Sequence, residues 1–517
     1  MRGISARDAR EELARRKCRG TFRSFVRFMW PVLNPGQDIT WNWHMNIMCD
    51  ELEAITRVTI FGDDAPDEWS GRLAFNVPPG STKSTIVSIF WPCWEWLHAP
   101  HLRYICASFE EGLSTKLNVK RRAVIASELY QWLRPPFGLQ VGQREKRLFA
   151  NDQWGSMRAV STRGGVTGDH SDRLIIDDPL DPDAAFGPEV DLSNQWHDET
   201  ASTRFTDPSR AVEILVQQRI CGGDMTDHVM DQGGWRLVVF QAEFDPNFEA
   251  NHPDDPRSEP GDLFFPRRFP ADLIERQKRV LGSMAYAAQY QQTPVSGEGN
   301  IFDRTWWGAW TELPEVTREA KWVGVWDTAY EAGEQHDYTV CQVWVAIAGR
   351  AYLVDQQHKK MDFVEMERVG LLMARRWPQV NAWIVEQRAL GQALIDRLRL
   401  AGLRVFASKS QSTKAQRAQS VAPLIEEGRA YLPSAEALPP ECMIETATPW
   451  TAHRQGAGII QECSEFPRGK HDDRVDALAM ALGRLSSVLR DAPLKRSAPR
   501  TVPTRGGGSP RRRTSRA

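Results

Sequence analysis

At 517 residues the chain is longer than one hydrophobic core usually grows, which points to two domains. Its 41% hydrophobic and 26% charged residues are ordinary globular composition, and 65 basic against 67 acidic side chains exclude a globally basic protein that coats nucleic acid. The eight cysteines are dispersed, with no CxxC pair and no cysteine-histidine cluster at zinc spacing, which suits a reducing compartment better than a disulfide scaffold or a zinc module.

The opening stretch, MRGISARDAREELARRKCRG, is charged, and no later stretch is apolar for long enough to span a bilayer, so neither secretion nor a membrane is expected. From about residue 70 to 240, short Val/Ile/Leu-rich runs alternate with helix-like stretches, the pattern of a parallel sheet with helices on both faces. The predicted strands are 73–77, 104–108, 157–161, 174–177, 212–217 and 237–240.

The first of these runs into LAFNVPPGSTKSTIVSIFWPCW: strand, small-residue loop, Lys-Ser, helix. Such a loop aims backbone N–H groups and a helix N-terminus at a polyphosphate, with Lys83 reaching the β/γ-phosphates and Ser84 ligating Mg2+. Gly80, Ser81, Thr82 and Thr85 complete it, although Val77 and Thr82 stand where glycines are usual. A surface loop ahead of a helix has similar composition.

In DRLIIDDPLDPDAA a strand ends on two carboxylates: Asp177 suits a nucleotide-bound Mg2+, and Asp178 can polarise the attacking water. The bland counterpart is an Asp-Pro turn. The strand in EILVQQRICGG ends on Gln217, Gln218 and Arg219, polar groups suited to sensing a γ-phosphate. Arg163, in STRGGVTGDHSD, is a candidate arginine finger, an exposed loop arginine being the commoner case.

A Pro- and Asp-rich loop follows, then a helix over 271–281, then the connector TPVSGEGNIF. Strands are next predicted at 322–326, 338–346 and 351–355, a helix at 362–377, a strand at 382–385, a helix at 391–401 and a strand at 404–407. This order resembles the RNase H-like layout, whose first and fourth strands lie side by side, so that Asp327 and Glu386 meet at one end of a sheet. In GKHDDRVDALAMAL, Asp472 or Asp473 opens a helix and supplies a third carboxylate, with Asp476 one turn on and on the same side. Carboxylates so gathered hold two Mg2+ or Mn2+ for phosphodiester cleavage, although acids also cap helices with no further role. Lys409, Lys414 and Arg417 suit phosphate contact or a solvated face equally, and the stretch from 488, ending SPRRRTSRA, reads as a disordered basic tail.

Outside that tail the chain resembles the large terminase subunits of tailed bacteriophages. The matching segments are TWNWHMNIMCDELEAI, VPPGSTKST, RLIIDDP, LGSMAYAAQYQQTP, VWDTAY, IVEQRALGQALI and FPRGKHDDRVDALAMAL. With the connector taken as a linker at 293–305 and the tail as 488–517, the resemblance implies an N-terminal helical segment and ASCE-type P-loop ATPase over 1–292 and an RNase H-like nuclease over 306–487. It implies ATP-driven translocation of double-stranded DNA into a procapsid, and metal-dependent cutting of concatemers, with ATP and Mg2+ or Mn2+ at both sites. Implied partners are DNA, a small terminase subunit and the portal protein, on which the chain forms a homo-oligomeric ring. The implied location is the host cytoplasm and, transiently, the procapsid, with none in the mature virion. By position, Lys83 and Ser84 fall in the Walker A-like loop, Asp177 and Asp178 in Walker B, Gln218 and Arg219 near the coupling segment, and His44 with its flanking tryptophans on the adenine side, where a packed aromatic turn would look the same. Asp327, Glu386 and Asp472 or Asp473 fall on the nuclease acids. Thr82 in the loop, and Asp178 where many ATPases use Glu, depart from that pattern. They motivate the alternative of an RNase H-like nuclease or recombinase whose ATPase half is inactive.

Overall fold

A computed structural model describes residues 6–491 apart from 67–68, 141–145, 165–167, 169, 185–186, 295–299, 329–337, 388, 409–411, 435–451, 468 and 470. Most of the tail and part of the connector therefore lie outside the described residues. The chain divides into two units, Met1–Asp303 with Ser410–Pro423 and Glu465–Arg468, and Arg304–Lys409 with Leu424–Ser464 and Gly469–Ala517.

The first unit is built on seven strands: β1 (Arg72–Asn76), β2 (Arg103–Ser108), β3 (Leu148–Ala150), β4 (Ser156–Ser161), β5 (Arg173–Asp177), β6 (Val212–Gln217) and β7 (Arg236–Val239). They join in the order β3-β4-β2-β5-β6-β1-β7. Every pair is parallel except β3 with β4, so the long strands need crossovers, and helices cover both faces. The short antiparallel β3 carries too brief an apolar run to be legible in the sequence.

On one face, Phe22, Phe25, Leu52, Trp91 and Trp94, from helices Phe22–Leu33 and Trp43–Thr56 and the segment after the β1 loop, share a core with Phe75 and Ile175. The buried indoles keep their N–H groups satisfied: Trp91 donates to Thr56 Oγ1 at 3.0 Å and Trp94 to the Arg19 carbonyl at 2.9 Å. On the other face Trp196 and Val229, from helices Glu189–Trp196 and Met225–Gln232, pack on Ala74, Ile176 and Leu215. Because β6 separates β1 from β5, the loop after β1 and the acids ending β5 open on the same edge, one strand apart. The helix predicted at 271–281 continues to Gln289 after a break at Gly282, whose φ of 75° and ψ of 170° are not helical.

The second unit has a mixed sheet of β8 (Gly308–Trp310), β9 (Lys321–Asp327), β10 (Thr339–Ile347), β11 (Arg350–Lys359), β12 (Trp383–Glu386), β13 (Val405–Ser408) and β14 (Ala430–Pro433). Its order is β13-β12-β9-β10-β11-β14-β8. β9, β10 and β11 are antiparallel, and β12 lies parallel to β9, with Val385 opposite Trp326. The first and fourth predicted strands are thus neighbours, and the expected α/β class with a parallel sheet followed by an RNase H-like mixed sheet holds. β8 and β14 add to the predicted strands. β10 and β11 turn through Ala348 and Gly349, both at positive φ, the conformation a two-residue hairpin demands.

Alternation along the strands sorts this sheet's faces. Trp326, Cys341, Val343, Trp383 and Val385 pack on Met366, Val369, Leu394 and Leu398 of helices Phe363–Arg376 and Ala389–Leu400. Asp327, Gln342 and Glu386 therefore face the other way, toward the helix Asp473–Asp491, where Gln342 Nε2 donates to the Arg474 carbonyl at 3.3 Å. That helix runs to Asp491 and keeps Leu489 buried, so residues 488–491, placed in the predicted tail, are helical. Among the described residues no helix is long and apolar enough to cross a membrane.

Candidate functional sites

In the first unit, an open cleft of about 410 Å3 is lined by Gly80, Ser81, Thr82, Lys83, Ser84, Thr85, Asp178 and Gln218. Gly80 has φ of +73° and a ring of Phe269 3.5 Å from where a Cβ would sit, so this turn is made by a residue free to adopt the left-handed region. Thr82 holds the same region at φ 68°, an unusual state for a β-branched residue. Together they turn the chain so that Lys83 Nζ donates to Asp178 Oδ1 at 2.8 Å and Ser84 Oγ to Asp177 Oδ1 at 2.9 Å.

The acids are held from the sheet side as well. Asp178 leaves the strand at φ 47°, its backbone N–H on the Val216 carbonyl at 2.9 Å, and its Oδ1 accepts from the Gln218 N–H at 3.1 Å. Ser88, one turn into the helix, donates to Asp177 Oδ2 at 2.6 Å. Burial and then the charge of Asp178 raise the Asp177 carboxyl to about 6, against the pull of Ser88, Lys83 and Ser84. One cation between two acids, with a serine hydroxyl on the inner one, can receive a polyphosphate and its magnesium.

Three expected members stand elsewhere. His44 lies beneath the loop, not in the cleft lining. The Asn42 amide is oriented by donating to the Phe264 carbonyl at 2.9 Å and also donates to His44 Nδ1 at 2.7 Å, which leaves Nε2–H to donate to the Ser81 carbonyl at 3.1 Å. Burial among Phe240, Phe264 and Phe265 pushes this imidazole down to about 3, so it is a neutral support for the loop. Arg163 is exposed in the turn after β4 and is not among the residues lining the cleft. Arg219 is buried and clamped by Asp224 at 2.8 Å and Asp227 at 2.6 Å, while its neighbour Gln218 reaches the cleft. The lining also includes Trp30, Asn34, Gln37 and Arg268, which the sequence does not single out, because a turn after an amphipathic helix and one arginine in FFPRRFP carry no distinctive spacing.

In the second unit, Asp327, Glu386 and Asp476 each offer an oxygen within 4.8 Å of the other two. Asp327 ends β9, Glu386 ends β12, and Asp476 comes from the helix packed over that face. Gly391 permits the arrangement: a Cβ there would lie 2.1 Å from the Glu386 carbonyl oxygen and 3.1 Å from Thr328 Oγ1, so only glycine lets the helix start so close to the strand end. The third carboxylate is Asp476, where the sequence pattern puts Asp472 or Asp473 ahead of it. The Asp472 carbonyl accepts from the Asp476 N–H at 3.0 Å in the first turn, and Asp473 is the first helical residue. One turn further on, the helix lies against β9 and β10, and Asp476 is only 1% exposed. The 3.6-residue period of DDRVDALAMAL, which puts Asp476 on the same side as Val475 and Ala479, was the available signal. An all-oxygen donor set of three acids suits a hard divalent cation such as Mg2+ or Mn2+.

Three carboxylates on the first strand, the fourth strand and a covering helix of this sheet define an RNase H-like domain. A family model described as "Terminase RNaseH-like domain" matches residues 324–485, the segment that carries the three carboxylates. A comparison with curated proteins finds no match. Among solved structures, the large terminase of a thermophilic bacteriophage aligns at 13% identity, covering 84% of this chain and 98% of that one, with a TM-score of 0.48. The large terminase of bacteriophage HK97 aligns at 11% identity over 89% of this chain and 99% of that one, with a TM-score of 0.31. The large terminase nuclease of another thermophilic phage, G20c, with bound magnesium, aligns at 16% identity over 36% and 98%, with a TM-score of 0.26.

Proposed function

We propose that the chain is a terminase large subunit, an ATPase that drives double-stranded viral DNA into a procapsid and a metal-dependent endonuclease that cuts concatemeric DNA. The observation that carries this reading is the convergence of Asp327, Glu386 and Asp476 within the segment matched as a terminase RNase H-like domain. A divalent ion held by these acids would supply Lewis-acid activation of water and stabilisation of the leaving oxygen. The protein's part is to fix three oxygens from three elements in one place, with Asp327 and Asp476 shielded from solvent.

In the first unit, Lys83 would bind the β/γ-phosphates of ATP in place of Asp178, Ser84 and Asp177 would hold its magnesium, and the Asp178 carboxylate so released would orient the attacking water. Gln218, on the backbone N–H that Asp178 now holds, registers that exchange and passes it to Arg219 and its clamp. Double-stranded DNA, a small terminase subunit and a portal protein are the partners of this reading, and a ring of copies on the portal is its working assembly. It places the chain in the host cytoplasm and transiently on the procapsid.

The left-handed Thr82 favours a second reading, a nuclease or recombinase whose first unit no longer turns over ATP. Purified full chain decides between them: the first reading expects ATP hydrolysis that Lys83→Ala reduces on the order of 100-fold, and DNA cleavage in Mg2+ or Mn2+ that this variant keeps. ATP turnover absent from the wild type, with cleavage intact, establishes the second. Cleavage unchanged in Asp327→Asn would sink both.

A further inference from the structure

The first unit holds another cluster of metal-ligating side chains, away from the nucleotide cleft. His197, Asp198 and His228 each offer an atom within 4.8 Å of the others. His197 and Asp198 come from the turn His197–Ala201, and His228 from the helix Met225–Gln232. His228 Nε2 lies 3.0 and 2.9 Å from the two Asp198 oxygens, and Gln232 Nε2 donates to Asp198 Oδ1 at 2.8 Å.

The contacts of His197 demand a cation. Its Nε2 lies 3.2 Å from Glu213 Oε2 and its Nδ1 3.0 Å from Asp198 Oδ1, so both ring nitrogens face carboxylate oxygens. A neutral imidazole has one N–H, and its other nitrogen would turn a lone pair on a negative oxygen. Glu213 is 1% exposed and held on its other oxygen by Arg72 at 2.9 Å, so it is a fixed acceptor that takes the Nε2–H and leaves Nδ1 as the open donor. A carboxylate behind a histidine in this way orients and strengthens a metal ligand.

We propose that His197 Nδ1, Asp198 and His228 Nε2 form a site for a transition-metal cation of the Zn2+ class, stapling the turn His197–Ala201 to the helix Met225–Gln232. Two imidazoles and one carboxylate select such an ion over Mg2+ or Ca2+. Tetrahedral coordination at about 2.0 Å separates ligand atoms by roughly 3.3 Å, so the spacings of the two histidine nitrogens from Asp198, 2.9 to 3.0 Å, widen by a few tenths of an ångström to admit it. The Asp198 side chain is 41% exposed, which leaves an entry path and room for water as a fourth ligand. The stapled helix is capped by Asp224, which clamps Arg219 beside Gln218, so the ion would steady the segment bordering the cleft.

The test uses the full chain, stripped with chelator and returned to millimolar Mg2+ so that oxygen-only sites are filled, then titrated with Zn2+ by calorimetry. One Zn2+ should bind per chain. Binding should weaken roughly 100-fold or more in His228→Ala and in Asp198→Asn, roughly 10- to 100-fold in Glu213→Gln, and not at all in Asp327→Asn. Co2+ on the wild type gives a readout independent of whether any variant folds: intense visible bands without a thiolate charge-transfer band indicate four-coordinate nitrogen and oxygen ligation. No Zn2+ bound in Mg2+, equal affinity in both His228→Ala and Asp198→Asn, a thiolate band or only weak six-coordinate absorption would each overturn the proposal. The first two would leave a second proton on His197 as the bridging cation.

Discussion

The nucleotide cleft and the carboxylate centre solve the same problem, gathering negative charge for magnesium chemistry, in opposite ways. In the cleft the acids arrive with their own cation: Lys83 lies on Asp178, and Ser84 and Ser88 donate to Asp177. The grouped ligands at the carboxylate centre are all acids. The first arrangement is an internally satisfied latch that a polyphosphate opens by competing for the lysine, whereas the second concentrates charge that a divalent ion neutralises. The contrast predicts that metal alone reorganises the carboxylate centre, while the cleft responds to metal and nucleotide together.

The largest effect should come from the carboxylate centre, where each acid is one of three grouped ligands. Asp476→Asn removes one of three acids and should lower Mg2+-dependent cleavage on the order of 1,000-fold, about 4 kcal/mol of barrier. Asp472→Asn, one turn earlier, should change it by no more than about threefold, since its side chain is outside the group. Rates on plasmid DNA for both variants check this; a reversal of the two would return the third ligand to the start of the helix. The cleft should be more forgiving. Ser84→Ala deletes a hydroxyl that both lines the cleft and bonds Asp177, and should cost ATP turnover roughly 10- to 100-fold, the worth of a hydrogen bond to a charged group. Ser88→Ala removes the other bond to Asp177 outside the cleft lining and should cost only a few-fold. Equal losses would mean that both serines merely hold the acid.

The two sites also differed in how far they could be read from residues. Asp327 and Glu386 were legible because strand order brings the ends of β9 and β12 together and two-residue alternation puts both acids on one face. Asp476 was legible as a position and not as a choice, since Asp472, Asp473 and Asp476 share a helix side, and only packing decides which carboxylate meets the strands. In the cleft, Lys83, Ser84, Asp177 and Asp178 are local to their loop and strand tip. Trp30, Asn34, Gln37 and Arg268 come from segments brought in by tertiary packing, for which no spacing rule exists. His44 shows the reverse: the resemblance put it on the adenine side, and burial among aromatic rings made the histidine a prop, as a packed aromatic turn would. Arg219 likewise had the right neighbourhood, but Asp224 and Asp227 had already taken its charge.

Backbone approach offers a smaller test of how tightly the carboxylate centre is built. In Gly391→Ala the new methyl would sit 2.1 Å from the Glu386 carbonyl oxygen, too close to keep, so helix Ala389–Leu400 or the end of β12 must shift. The expected cost is about 1–3 kcal/mol in the stability of the second unit, with slower cleavage and ATP turnover unchanged. Chemical denaturation alongside both activity assays would show it. Unchanged cleavage would mean that the centre tolerates movement of Glu386 that its compact geometry argues against.

The smallest effect separates the cleft from the centre by pH. His44 is folded in its neutral form with its pKa pushed down to about 3, whereas in the unfolded chain an ordinary histidine titrates near about 6.5. Between those values the unfolded state binds a proton that the folded state does not. The neutral imidazole's contribution is therefore intact above the unfolded pKa and is lost as pH falls through it toward the folded one, at about 1.4 kcal/mol per pH unit. His44→Gln removes the titrating group, so its stability should start lower at pH 7 and fall less steeply to pH 5 than that of the wild type. ATP binding should weaken in step with the first unit's stability, because the side chain supports Ser81 from below. If the two pH slopes coincide, His44 is accessible to protons in the folded protein and the loop does not rest on a neutral ring.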